Sequence, residues 1–593
     1  MIKPATRNVV IFSVLLLAMF ALALAASHTR TKAETDDKTA QQNIASPAFS
    51  HESGFYKKSF ELTMSCDPDC TIYYTLDGSD PDPEDAAGPA KANNSQDAGA
   101  AEPAAPAGTL RYGEPLQIDD ASTHENVYSM NTDTSTGFYE DLIRRYSDSG
   151  VPHYEAPEEP VDKCTILRAI AVRSDGVTSD ESTATYFVGK STGDYTPCRV
   201  ISIVTDPDNL FDEKKGIYVT GARFRNYLTG QRERWTKWDG NYYETGIESE
   251  REAHFRLFDT DGSTISAKNC AIRIHGNITR AYNQKSFSVF FRDENGQAVT
   301  LGADIFGTGY DPEELLLSNG GQNISTKFNN VAVAEALEGS SPQKHFTPAV
   351  LFLDGEYWGF YWITELFDED WLAHYCNVDR TNLVAVKFDI TSYYAIRSSD
   401  PRTREQQSHV FEEAEQYILS NDMADPDNYA KASSYLDMDD FIDYYAVEAY
   451  LGNEDWPRRN KEFWRTWKVA DDRYSDGLWR SLYFDYDLAL NLDTNGLQWT
   501  LKRDDLFAAL WENESFRKQF EERICYFADH EFAPDNMEKY VDDYAAAYGP
   551  ALEKSWERFF ADGVYTMDQF NAGMENKKKF FKQRKAIMEK WFR

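Results

Sequence analysis

Apolar positions change their rhythm several times along the chain. Lys3 and Arg7 precede an unbroken apolar run from Val9 to Ala26, which ends in the small-x-small triplet Ala23-Leu24-Ala25. This is the pattern of a signal peptide or an N-terminal membrane anchor, so residues 1–26 are expected to direct export. Residues 27–45 are polar and read as a linker. From Ser46 short alternating stretches follow: Gly54-Phe55-Tyr56, Ser59 to Met64, and Thr71 to Leu76 with the turn Asp77-Gly78. Alternation with period two and an Asp-Gly turn predicts a small β-sandwich over residues 46–189, with further strands at Thr165–Ser174 and Thr183–Val188. Residues 82–108, rich in Ala, Pro, Gly and Asp, open a disordered insertion expected over about 82–160, whose later part from 109, with Tyr, Leu and charged residues, allows partial order.

A second unit is expected over residues 195–593. Alternation at Val200–Val204, Ala253–Phe258, Ala271–His275 and Ser286–Phe291 predicts an antiparallel sheet. Asn329–Leu337 and Met438–Leu451 have helical periodicity, as does the chain from Leu501 to Arg593. The fold class is therefore α+β, a small β-sandwich followed by a mixed domain with C-terminal helices. At 593 residues the chain is too long for one conventional core.

The stretch Leu451–Leu492 concentrates the chemistry. Phe463-Trp464-Arg465 and Leu478 to Phe484 read as two strands joined by the polar turn Asp471 to Gly477. A hairpin there brings Asp455 and Asn460 at its mouth close to Asp485 and Asp487 at its exit. Carboxylates and amide oxygens suit a hard divalent cation such as Mg²⁺, which uses few protein ligands and leaves room for phosphate. A spare carboxylate can orient or deprotonate an attacking hydroxyl. Asp and Asn also favour turns and helix N-caps, and spacing alone does not separate the two readings.

Charge and cysteines narrow the classes. A formal charge of -37 excludes nucleic acid, whose phosphates require a basic face. Seven cysteines permit disulfides in an exported chain, and Cys66 and Cys70, bracketing Asp67-Pro68-Asp69, suit a local bridge. The chain has no Walker A, HExxH or GxSxG sequence. Paired carboxylates also serve glycosidases.

The ordered motifs resemble the CotH family of spore-coat protein kinases. They are Ile272-Arg273-Ile274-His275-Gly276-Asn277 through Gln284-Lys285-Ser286-Phe287, then Leu315-Leu316-Leu317-Ser318-Asn319, then Leu353-Asp354-Gly355-Glu356-Tyr357-Trp358-Gly359 with Thr364-Glu365. Asn453-Glu454-Asp455-Trp456-Pro457-Arg458-Arg459-Asn460 and Asp485-Tyr486-Asp487 complete the set. Tyr73-Tyr74-Thr75-Leu76-Asp77-Gly78-Ser79-Asp80-Pro81 is similar to the hallmark of chitobiase/β-hexosaminidase C-terminal-type modules.

The resemblance implies an atypical, two-lobed protein-kinase-like domain using ATP and Mg²⁺, with Mn²⁺ as an alternative, to phosphorylate Ser or Thr of a protein substrate. By the same resemblance Lys285 would contact nucleotide, Glu365 would pair with Lys285 or hold nucleotide, and Arg280 would contact phosphate. Asp455 would accept the substrate proton, while Asp485, Asn460 and Asp487 would hold metal. Two positions depart from the family pattern: Lys327 stands where an arginine is common, and Arg459-Asn460 where two asparagines are. The alternative is a non-catalytic cell-surface or wall-associated scaffold, with the sandwich offering weak glycan or cell-wall contact.

Overall fold

The computed structural model describes residues 44–86, 107–131, 156–228, 240–389, 392–398, 404–560 and 564–593. The expected export segment 1–26, most of the 27–45 linker, and residues 87–106 and 132–155 of the expected insertion lie outside them.

The N-terminal module forms from the alternating stretches. Its five-stranded sheet is ordered Gly54–Tyr56, Ser182–Val188, Thr165–Arg173, Cys70–Thr75 and Leu110–Arg111. Phe60–Leu62 pairs with Leu116–Ile118 in a second small sheet. Two of these strands come from the stretch expected to be an insertion. Leu110, Leu116 and Ile118 keep the apolar rhythm of strands, and Leu110 and Ile118 are buried with Leu62, Ile72, Tyr74, Leu167 and Tyr186. The neighbouring Ala- and Pro-rich composition concealed that rhythm. Cys66 and Cys70 are free thiols, and Cys66 Sγ donates to the Cys70 carbonyl at 3.4 Å.

Beside its own small core, the module also lends residues to the core of the following domain. Phe187 belongs to the larger hydrophobic cluster, stacked on Phe55 at 4.5 Å and edge-on to Phe352 at 4.9 Å. Glu356, buried, accepts the backbone N–H groups of Val127 at 2.6 Å and Ser129 at 2.8 Å. Asp162 accepts from Lys190, Tyr195 and Lys554, joining the module to the terminal helices.

Seven strands form a closed barrel in the order Arg199–Val204, Arg251–Phe258, Thr264–His275, Ser286–Arg292, Glu314–Ser318, Glu356–Thr364, Phe346–Leu353. Six of the pairings are antiparallel. The seventh, Phe346–Leu353 against Arg199–Val204, is parallel and closes the barrel, where alternation alone predicted an antiparallel sheet. Glu356–Thr364 is buried at every position. One of its faces fills the barrel and the other meets helix Pro534–Phe559, through Trp358 on Phe559 at 5.9 Å and Trp362 on Tyr548 at 5.0 Å. Gly359 permits the approach, because a Cβ there would stand 2.6 Å from Ser555 Oγ.

Beyond the barrel, Ser392–Ser398, Leu383–Asp389, Lys461–Thr466 and Arg480–Ser481 form a four-stranded antiparallel sheet. The last pair is the expected hairpin, with Phe463 opposite Ser481 and Trp464 opposite Arg480. Helix Met438–Leu451 starts at the Asp437 cap with Asp439 and Asp440 in its first turn, where acids favour the N–H end. It stops at Gly452, φ 62°, in the left-handed conformation that glycine adopts most readily. Helices from Gly496 to Met588 complete this half. Among the described residues no helix is long and apolar enough to cross a membrane.

Candidate active site

A cleft of about 690 Å³ lies between the barrel and the sheet-and-helix half. Its lining brings together Asp455, Asn460, Asp485 and Asp487 with the cations Arg273, Arg280, Lys344, Lys387 and Arg459, and Lys387 stands beside Asp485, 5.0 Å from the Phe484 ring. The hairpin explains the acidic group: its strands pair, so the residues just before the first strand and just after the second meet at one end. The cations come from the barrel strand ending at His275, the turn after it, the segment before Phe346, and the strand Leu383–Asp389, which pairs with the first hairpin strand.

The acidic residues are held in different ways. Asp455 Oδ2 accepts from Asn460 Nδ2 at 3.1 Å, so the Asp-to-Asn spacing closes a local ring that orients the carboxylate. Asn460 and Asp485 both have left-handed backbones, at φ 56° and 65°. That region costs most L-residues roughly 1–2 kcal/mol and is best tolerated by Asn and Asp. Among the described residues nothing donates to the Asp485 carboxylate. Asp487 is instead engaged: Oδ2 accepts Gln322 N–H at 2.8 Å and Oδ1 accepts Asn330 Nδ2 at 2.6 Å. It anchors the loop Gly320-Gly321-Gln322.

Burial pushes the Asp485 carboxyl upward, Lys387 pulls it back, the Asp455 charge pushes it up again, and Lys344 opposes that. Asp487 is likewise raised, first by burial and then by the Asp485 charge, against the Gln322 and Asn330 hydrogen bonds. His275, in the same lining, is pushed down to about 3 by burial and by Arg280, Lys344, Arg273 and Lys387. It is neutral at pH 7, and its shift registers the cations around it.

Two residues expected at the nucleotide lie in the interior. Lys285 is fully buried behind the cleft; its ammonium donates to the carbonyls of Arg280 and Tyr282, both at 2.8 Å, and lies 4.0 Å from the Tyr242 ring centroid. Ser286 opens the barrel strand Ser286–Arg292 and lines the cleft, so the adjacent Lys285 faces the other way, into the interior. Glu365 is also fully buried and does not pair with Lys285. It accepts His345 N–H at 2.8 Å, His345 Nδ1 at 3.0 Å and Tyr375 OH at 2.5 Å, tying the last barrel strand to helix Glu369–Cys376. Arg280 lines the cleft, although its guanidinium also holds the carbonyls of Gly276, Tyr242 and Glu244. Lys327 lies inside as well, bonded to Gln284 Oε1 at 2.7 Å and the Asn319 carbonyl at 2.6 Å.

Lys344, Lys387 and the pair Asn329-Asn330 were not singled out by sequence. Asn329 Nδ2 reaches the carbonyls of Tyr486, Asp487 and Ala489, each at 3.1 Å, and Asn330 Oδ1 accepts Tyr486 N–H at 2.7 Å. The available signal was a polar pair opening an apolar helix, and for Lys387 a charge ending the apolar run Leu383 to Val386.

Among the described residues no three carboxylate, imidazole or thiolate groups converge tightly enough to form an all-protein metal cage. The donor set does suit Mg²⁺, which binds through one or two carboxylates and otherwise through phosphate and water. The unengaged Asp485 carboxylate and the Asn460 amide oxygen are the groups that would hold it.

The chain is α+β, with a barrel half set against a half of sheet and helices and a cleft of mixed charge between them. Residues 272–588, more than half of the chain, match the family model described as CotH kinase protein, and the chain belongs to that family. Residues 60–186 match the model described as Fn3 associated. No curated protein matches the chain.

Proposed function

We propose that the protein transfers the γ-phosphoryl group of ATP to a Ser or Thr hydroxyl of a protein substrate, with Mg²⁺ or Mn²⁺, and that it acts after export, outside the cell or at its surface. The observation that carries this reading is the meeting of cations and carboxylates in one cleft. A polyphosphate needs cations along its length, and the reacting end needs carboxylates for metal and proton. Arg273, Arg280, Lys344 and Lys387 supply the first; Asp455 and Asp485 supply the second.

Phosphoryl transfer passes through a loose transition state, so positioning and charge neutralisation carry most of the catalysis. Mg²⁺, when bound, would neutralise phosphate charge, with Asp485 and Asn460 as its protein donors. Lys344 and Lys387 orient the phosphate chain and balance its charge. Asp455, fixed by Asn460, accepts the hydrogen bond of the acceptor hydroxyl and takes its proton as the new bond forms. Asp487 keeps the Gly320-Gly321-Gln322 loop against the acidic group.

One observation favours the scaffold reading instead. Lys285 and Glu365, two groups the resemblance assigns to nucleotide, are consumed in the interior. Labelled γ-phosphate transfer by the full chain, beside Asp455→Ala and Asp485→Ala, separates the readings. Transfer to the protein itself or to a generic Ser/Thr acceptor, lost in both variants, is expected. Absence of transfer together with absence of metal-dependent nucleotide binding would leave the scaffold.

A further inference from the structure

The two loops that carry Asp455 and Asp485 are separated in sequence by the whole hairpin, yet a single side chain ties them. Asn453, buried, accepts Asp455 N–H on its Oδ1 at 3.2 Å and donates from its Nδ2 to the Asp485 carbonyl at 3.2 Å. Among the described residues no other hydrogen bond joins 453–460 to 484–488. We infer that Asn453 is a positioning residue that sets the spacing between the proton-accepting and the metal-holding carboxylates. This rests on the phosphoryl-transfer reading of the same cleft.

The chemistry of the tie is specific. A backbone N–H can only donate and a carbonyl can only accept, so the bridging group must present an acceptor to one side and a donor to the other. A primary amide does this; a carboxylate of the same shape would face the Asp485 carbonyl with a second acceptor. The anchor of the amide is also fixed. Asn453 follows the helix stop at Gly452, and the Leu451 carbonyl accepts N–H groups from Leu490 at 2.8 Å and Asn491 at 3.2 Å, just beyond Asp487. A Cβ on Gly452 would stand 2.7 Å from the Asn491 carbonyl, so the helix end and the acidic loop are held in contact. Behind Asn453 lies the fully buried Glu448, whose backbone carbonyl accepts Asn453 N–H at 3.4 Å. The amide therefore links the helix end, the Asp455 loop and the Asp485 loop in one rigid corner.

The test compares the full chain with Asn453→Ala, which removes both contacts, and the isosteric Asn453→Asp, which keeps the contact to Asp455 N–H and opposes the other. Three readouts are taken: Mn²⁺ affinity in the presence of a non-hydrolysable ATP analogue, affinity for the analogue without metal, and exchange of the Asp455 amide without metal. Losing hydrogen bonds worth about 1 kcal/mol each is expected to weaken Mn²⁺ binding roughly tenfold in both variants. Metal-free analogue affinity is expected to stay within about twofold, and excess Mn²⁺ to restore much of the transfer rate, which a merely structural defect would not allow. In Asn453→Ala the Asp455 amide exchanges faster. Wild-type Mn²⁺ affinity in both variants would overturn the positioning role while leaving the kinase reading intact. Absence of Mn²⁺–analogue binding in the wild type would overturn both. If Asn453→Ala does not fold, Asn453→Asp alone decides.

Discussion

Removal of the Glu356 carboxylate should loosen the joint between the N-terminal module and the barrel. Glu356 accepts N–H groups of Val127 and Ser129 at 2.6 and 2.8 Å from a position 3% exposed. Hydrogen bonds to a charged partner are worth about 1.5–3 kcal/mol each. The Val127 side chain is exposed and Ser129 is fully buried, so water can replace one bond more easily than the other. The lower end of the sum, about 3 kcal/mol, is therefore the appropriate figure for Glu356→Ala. Set against a typical domain stability of about 5–15 kcal/mol, this is enough to open the joint without unfolding the barrel. The assay is amide hydrogen exchange in the full chain. About 3 kcal/mol corresponds to a protection loss of roughly 100-fold at Ser129 and its neighbours. The barrel strand Ser286–Arg292 should remain protected. Unchanged exchange at Ser129, with residues 195–593 alone melting at the temperature of the full chain, would refute the module's contribution to the following domain's core and return the module to the role of a spacer.

Two further perturbations probe the cleft and its hinge. In Gly321→Ala the new Cβ would lie 1.8 Å from Asp487 Oδ2 at a backbone φ of 59°. The change should displace Asp487, cost about 1–2 kcal/mol, and reduce transfer; unaltered melting and activity would contradict the anchoring role of Asp487. His345 is lowered by burial but raised more by its hydrogen bond to Glu365 and by the charges of Glu365, Glu338 and Asp304, for a net upward shift. A raised folded value means the pair's stabilisation is full below the unfolded value of about 6.5 and is lost as pH rises through the folded one. The melting-temperature gap between wild type and His345→Asn should therefore be larger at pH 6 than at pH 9, and a pH-independent gap would refute the ion pair.

Local rules carried much of this fold. Period-two alternation located four of the seven barrel strands, aromatic runs located the hairpin, and helical periodicity located Asn329–Leu337 and Met438–Leu451 with the bounds the structure gives them. Closure was not legible, because the parallel pairing of Arg199–Val204 with Phe346–Leu353 joins segments far apart in sequence and leaves no local signature. The same limit explains the site. Asp455, Asn460, Asp485 and Asp487 share a hairpin, so their meeting at the cleft followed from local geometry. Lys344 comes from the segment before Phe346 and Lys387 from the strand that pairs with the first hairpin strand, so both join those acids only through contacts distant in sequence. The interior position of Lys285 was not legible either, because one residue of register decides between cleft and interior.

The measurement that tests the central claim most directly is calorimetric binding of Mn²⁺ and a non-hydrolysable ATP analogue to the full chain, beside Asp485→Ala, Lys387→Ala and Lys285→Met. One metal-dependent site is expected in the wild type. Asp485→Ala should abolish the metal dependence, and Lys387→Ala should weaken binding about 10- to 100-fold, the value of a charge-assisted phosphate contact. Lys285→Met should lower stability and leave affinity in the folded fraction nearly unchanged. Absence of binding, or binding lost in Lys285→Met and indifferent to Lys387 and Asp485, would contradict the account.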